Sequence, residues 1–177
     1  MLHLVVRIIL LVVAVLLVVS LVGFLQSIRP SRIMSSVRPN DLGLAFEDVS
    51  FQTSDGLLLR GWFIPKTGGS ATQETVIILH GYPADKGNVL PAMAFLAERY
   101  NLLLFDFRSF GASEGRVSTA GAREVRDLVA AVDFLQRRGV HEVGVWGFSM
   151  GGAVALMAAP QLPGVRAIVA DSSYARL

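Results

Sequence analysis

Residues 142–158, EVGVWGFSMGGAVALMA, decide the architecture of this chain. Glu142 to Phe148 is a short run of β-branched and aromatic residues, the pattern of a strand covered on both faces. From Met150 the side chains turn small and apolar until Pro160, which reads as a closely packed helix. Between the two stands Gly147-Phe148-Ser149-Met150-Gly151, a G-x-S-x-G sequence in a strand–turn–helix setting. Glycine on both sides permits a turn so tight that a Cβ would clash there. The serine is pushed out at the top of the sheet, within reach of a base and a substrate.

Working outward, TVIILHG (Thr75 to Gly81) and NLLLFDF (Asn101 to Phe107) read as two more buried strands, and VRAIVAD before Ser172 as a fourth. Helical spacing links Val89, Leu90, Met93, Leu96 and Ala97. A second, amphipathic helix follows from Val125, Leu128, Val129, Val132 and Leu135, with Arg123, Glu124, Arg126, Asp127 and Arg137 assigned to its surface and Gly139 ending it. Ala45 to Pro65 reads as two strands around the hairpin turn Ser54-Asp55-Gly56, an antiparallel edge. Strands alternating with helices through short loops predict a doubly wound α/β fold with a mainly parallel sheet.

His80-Gly81-Tyr82 follows the TVIIL strand. An acyl-transfer site needs two preorganised N–H donors for its developing oxyanion. Met150, the residue after the serine, offers one and Tyr82 the other. TVIILHGY, DFRSFGASEG, GFSMGG and IVADSSY, in this order and spacing, resemble the α/β-hydrolase superfamily over residues 45–177, especially its single-pass esterase-like or peptidase-like members. The resemblance implies Ser149 as nucleophile of a Ser–His–acid triad, an oxyanion hole at Tyr82 and Met150, elbow glycines at Gly147 and Gly151, and neither cofactor nor metal. It also implies that Asp106 and Arg108 fix a loop by hydrogen bonds, in a motif where Ser109 occupies the usual glycine position.

The base is what the sequence does not supply. His3 lies in the apolar amino terminus, His80 belongs to the oxyanion loop, and His141 precedes a strand, at the sheet edge away from the serine. In the family the acid and histidine follow further strands, so they are expected beyond Leu177, with Asp171 as a weaker candidate acid. The expected α/β-hydrolase sheet is therefore incomplete at its carboxyl terminus, and the chain an amino-terminal part that is nearly inactive alone. Two alternatives stay open: a non-catalytic, membrane-tethered binding or scaffold module of the same fold, and an acyltransferase using the same elbow.

Ile8 to Leu25 holds no charge, and 18 helical residues rise about 27 Å, close to a bilayer's hydrocarbon thickness. No Ala-x-Ala cleavage site follows, so residues 1–25 read as one transmembrane anchor rather than a cleaved signal. Residues 26–44, broken by Pro30, Pro39 and Gly43, read as a linker to the domain at 45–177. Residues 1–40 carry four Arg and no acid, which leaves 12 basic against 14 acidic residues over 41–177. The basic balance thus belongs to the membrane flank, which argues against a nucleic-acid partner and leans toward a cytoplasmic catalytic part. The expected substrate is a small-molecule or lipid-like acyl compound. The chain has no cysteine, which excludes disulfides, thiolate metal sites and a Cys nucleophile.

Overall fold

Six strands, β1 (Glu47–Gln52), β2 (Leu58–Ile64), β3 (Thr75–Leu79), β4 (Asn101–Phe105), β5 (Val143–Phe148) and β6 (Val165–Asp171), form one sheet in the order β1-β2-β4-β3-β5-β6. This is a computed structural model that describes residues 2–68 and 74–174. Met1 and residues 175–177, the outer ends of the segments read as 1–25 and 45–177, lie outside it. β3, β4, β5 and β6 run parallel, and β2 joins β4 antiparallel, so the β1–β2 hairpin forms the antiparallel edge that its Asp-Gly turn predicts.

The pleat divides the core into two layers, because successive side chains of a strand face opposite ways. Ile77, Leu79, Leu103 and Phe105 pack with α3 (Val125–Arg137) and α4 (Met150–Ala158), while Ile78, Leu102 and Leu104 pack with α2 (Lys86–Met93). Every residue of β4 is buried, as its continuous apolar run requires. The helical spacing over 89–97 is split: α2 ends at Met93 and Ala94–Glu98 continues as a 3-10 turn.

One expectation is overturned. Glu124 and Asp127, assigned to the surface, are both fully buried, while Val125 and Val129 are half-buried. At i, i+3, i+4, i+7 and i+11, Glu124, Asp127, Leu128, Ala131 and Leu135 share one helical face, so the two carboxylates lie on the buried stripe and not opposite it.

The amino-terminal helix α1 runs Leu2–Ser27, two residues beyond the predicted segment. It is long and apolar enough to cross a membrane by length and composition, and none of it is buried against the domain. Residues 28–38 do not behave as a free spacer. They lie along the domain as a strap, with the Ser35 N–H donating to Asp85 Oδ2 at 2.8 Å and the Gly87 Cα so close that a Cβ there would stand 2.7 Å from Ser35 Cβ.

Candidate active site

Ser149 stands alone between β5 and α4 with φ 48 and ψ −113, in a region of backbone space that non-glycine residues rarely occupy. The reason is crowding. A Cβ on Gly147 would lie 2.3 Å from the Gly151 carbonyl carbon, and one on Gly151 would lie 2.8 Å from the His80 oxygen. On the opposite side, a Cβ on Gly81 would meet Ser149 Cβ at 3.2 Å. The β3 loop and the β5–α4 turn therefore press against each other at the carboxyl ends of their strands, with Ser149 half-exposed between them. The Ser149 N–H donates to the Asp171 carbonyl at 2.8 Å, so the end of β6 braces the turn. Asp171 thus bears on the site through its backbone, while its carboxylate accepts from Ser172 Oγ at 2.9 Å.

Met150 opens α4, where the first N–H groups have no partner within the helix. Among the described residues, no backbone carbonyl accepts from the N–H of Met150 or of Tyr82.

His80 is fully buried and both ring nitrogens are engaged. Nε2 accepts the Phe107 N–H at 3.0 Å, so it carries no proton, and Nδ1 therefore holds the proton and donates to the Gly81 carbonyl at 2.8 Å. Burial beside Phe107 and Phe110 pushes its pKa below the ordinary histidine value. The ring pins the β3 loop to the β4 loop and is not available to a substrate. His141 is exposed ahead of β5, at the amino-terminal edge of the sheet, and His3 lies on α1.

The loop after β4 is held by buried charge. Asp106 accepts from Lys86 N–H at 2.9 Å, Lys86 Nζ at 2.6 Å and Ala112 N–H at 2.8 Å, tying the start of α2 to the loop. Arg108 donates from Nε and an Nη to Asp127 Oδ1 at 2.9 and 2.7 Å and reaches Asp55 with both Nη groups at 2.8 and 3.0 Å. Burial pushes the Asp127 carboxyl up to about 6 against the pull of Arg108. The Arg108 guanidinium holds Asp55 well below the carboxylate range. Both residues act as the loop-fixing bonders that the motif implies. Ser109 has φ 71, a left-handed value that glycine adopts without strain. Its Oγ is buried with no hydrogen-bond partner among the described residues.

Glu124, which the sequence reading left on the surface, organises the next turn. It accepts from Ser118 Oγ at 3.0 Å, Thr119 N–H at 2.9 Å, Thr119 Oγ1 at 2.7 Å and Gly121 N–H at 2.9 Å. Ser118 in turn touches Met150 Sδ at 3.9 Å, which brings this turn against the residue after Ser149. The end of α1 reaches the same place. Tyr82 Oη donates to the Ser27 carbonyl at 3.0 Å and the Ser118 N–H to the Ile28 carbonyl at 2.9 Å. Arg32 donates to the carbonyls of Gly111, Ser113 and Gly115 at 2.9, 2.5 and 2.8 Å.

A serine in a strained strand–turn–helix turn is the geometry of a nucleophile elbow, and residues 74–176 match the family model of the alpha/beta hydrolase fold. The chain belongs to the alpha/beta hydrolases. It resembles the esterase Pf2001 of Pyrococcus furiosus with a TM-score of 0.75 at 35% identity, over 82% of this chain and 57% of that one. The uncharacterised protein YfhR of Escherichia coli K12 is 34% identical over 138 residues, 73% of this chain and 48% of its own length. Thiohydrolase aneE of Aspergillus aculeatus is 37% identical over 121 residues, 64% of this chain and 37% of its own. The chain thus spans about half the length of the YfhR relatives it matches. The sheet is mixed and mostly parallel, with the elbow at the carboxyl end of β5, between β3 and β6.

Proposed function

We propose that this alpha/beta hydrolase is a membrane-tethered serine hydrolase that cleaves an ester, thioester or amide through an acyl-enzyme at Ser149. The observation that carries the reading is the Ser149 backbone, held at φ 48 by glycines on three sides. A residue is kept in so strained a state where its placement is needed, and here the placement exposes a hydroxyl at the sheet's carboxyl edge.

Ser149 Oγ attacks the acyl carbonyl carbon while a base takes its proton. The carbonyl oxygen gains the negative charge, which the N–H groups of Tyr82 and Met150 stabilise. The C–O, C–S or C–N bond then breaks, the leaving group receives the proton, and water releases the acid by the same steps in reverse. A named thiohydrolase among the relatives supports including thioesters. The base is none of the three histidines of this chain, since His80 is fully engaged, His141 is at the far edge and His3 is on α1. The anchor is α1, and Arg29, Arg32 and Arg38 after it lean toward a cytoplasmic catalytic part.

Fluorophosphonate labelling tests this. The 177-residue chain labels slowly, because none of its three histidines is placed to activate the serine hydroxyl, and imidazole added in solution accelerates labelling by acting as the base. Ser149→Ala abolishes the labelled peptide in both conditions. Labelling that persists in Ser149→Ala sinks the reading. Fast labelling without imidazole, lost on replacing His80 or His141, shows that one of those histidines is the base.

A further inference from the structure

Where α1 meets the domain, a cavity of about 560 Å3 is walled by Arg29 and Arg32 of the strap and by Ser109, Gly115 and Arg116 of the loop after β4. Its lining carries three guanidinium groups and no carboxylate. None of the three is in an ion pair among the described residues. Arg32 is held by three backbone carbonyls, which fix its position without neutralising its charge. Glu114, the acid nearest in sequence, turns away to accept the Leu58 N–H at 2.9 Å. The negative end of the α1 dipole is itself occupied, because the Ser27 and Ile28 carbonyls accept from Tyr82 and Ser118.

Three unneutralised guanidinium groups around one cavity make a receptor for an oxygen-rich anion, since guanidinium forks match phosphate geometry.

We propose that this cavity binds the anionic, phosphate-bearing headgroup of a membrane lipid in the leaflet that faces the catalytic domain. The proposal rests on the reading that α1 spans the bilayer. Its location selects a lipid over a soluble anion: Arg29 follows Ser27, the last residue of the apolar helix, by two positions, which puts the cavity at headgroup level. The loop that forms its wall also carries Ser118 against Met150, so a bound headgroup steadies the rim of the Ser149 cleft and sets that cleft at the bilayer surface.

The chain has no cysteine, so a cysteine at exposed Ser31 gives a unique site for a fluorophore. The full chain is reconstituted in phosphatidylcholine vesicles containing brominated phosphatidylglycerol or, separately, brominated phosphatidylcholine, and quenching gives their relative affinity. The expected result is a preference for phosphatidylglycerol of about tenfold. It falls about fivefold in Arg116→Gln, the effect of roughly one basic residue at an anionic surface. It is unchanged in Arg123→Gln, whose exposed arginine lies outside the cavity. Equal quenching by the two lipids, or an equal loss in Arg116→Gln and Arg123→Gln, overturns the headgroup site. If millimolar inorganic phosphate removes the preference, the ligand is a soluble anion and the lipid assignment fails. Quenching by neither lipid removes the anchor instead. Labelling of Ser149 is read independently, so the hydrolase reading stands or falls apart from this one.

Discussion

Ser109 and Glu124 show how single residues near the elbow trade stability for shape. Ser109 combines a left-handed backbone with a buried, unbonded hydroxyl, each costing on the order of 1 kcal/mol. Ser109→Gly relieves both and loses part of the gain to the unfolded chain's greater freedom. The expected net is a stabilisation of about 1 kcal/mol, read as a higher urea midpoint in detergent micelles. Glu124 is the opposite case. Burial pushes its carboxyl up, but hydrogen bonds from Thr119 and Gly121 outweigh that and hold it below the ordinary value. A carboxyl with a depressed native pKa stabilises above its unfolded value, about 4.3, and loses that contribution as pH falls through the native one. Glu124→Gln is therefore expected to cost about 1–3 kcal/mol at neutral pH. The gap between variant and parent closes as the medium is acidified below about pH 4, measured by urea midpoints at a series of pH values.

At the scale of elements, periodicity carried the reading far, and its failures have causes. Every strand and α3 and α4 follow from runs of apolar residues and their period. The elbow at Ser149 was legible because sequence-local geometry produces it: glycines at 147 and 151 and a serine between a strand and a helix. Charge disguises the buried face of α3, because a charged side chain ordinarily marks an exposed position. Glu124 and Asp127 share that stripe with Leu128, Ala131 and Leu135, and their burial depends on donors from Ser118, Thr119, Gly121 and Arg108 that no local pattern announces. The split of the 89–97 helix was equally hidden, since a 3-10 turn and an α-helix bury similar spacings. For α1, uniform apolarity with none of its apolar window buried gives a plain expectation. The protein stays with the membrane fraction through salt and alkaline washes and needs detergent for extraction. Recovery in the soluble fraction with an amino terminus near residue 24 is the result that identifies a cleaved signal instead.

Across the whole molecule, the contacts that brace the loops around the elbow join residues far apart in the chain, which is why they cannot be read in advance. Arg108 joins a hairpin turn 53 residues back to a helix 19 residues on, and Arg32 grips carbonyls about 80 residues away. Such pairings need the sheet order to be known first, because strands β4 and β3 exchange places relative to the chain. The residues they position were legible only as a motif, from DFRSFGASEG, and the strap from residue 28 to 38 read as a spacer because nothing in its own sequence names its partners. One backbone bond ties two strands together at the centre of this arrangement. The Ser149 amide is closed by the carbonyl of Asp171, at the end of β6. The elbow is therefore held from the neighbouring strand as well as by its own glycines: whatever shifts the end of β6 pulls directly on the peptide plane of the serine, with no side chain in between to absorb the movement.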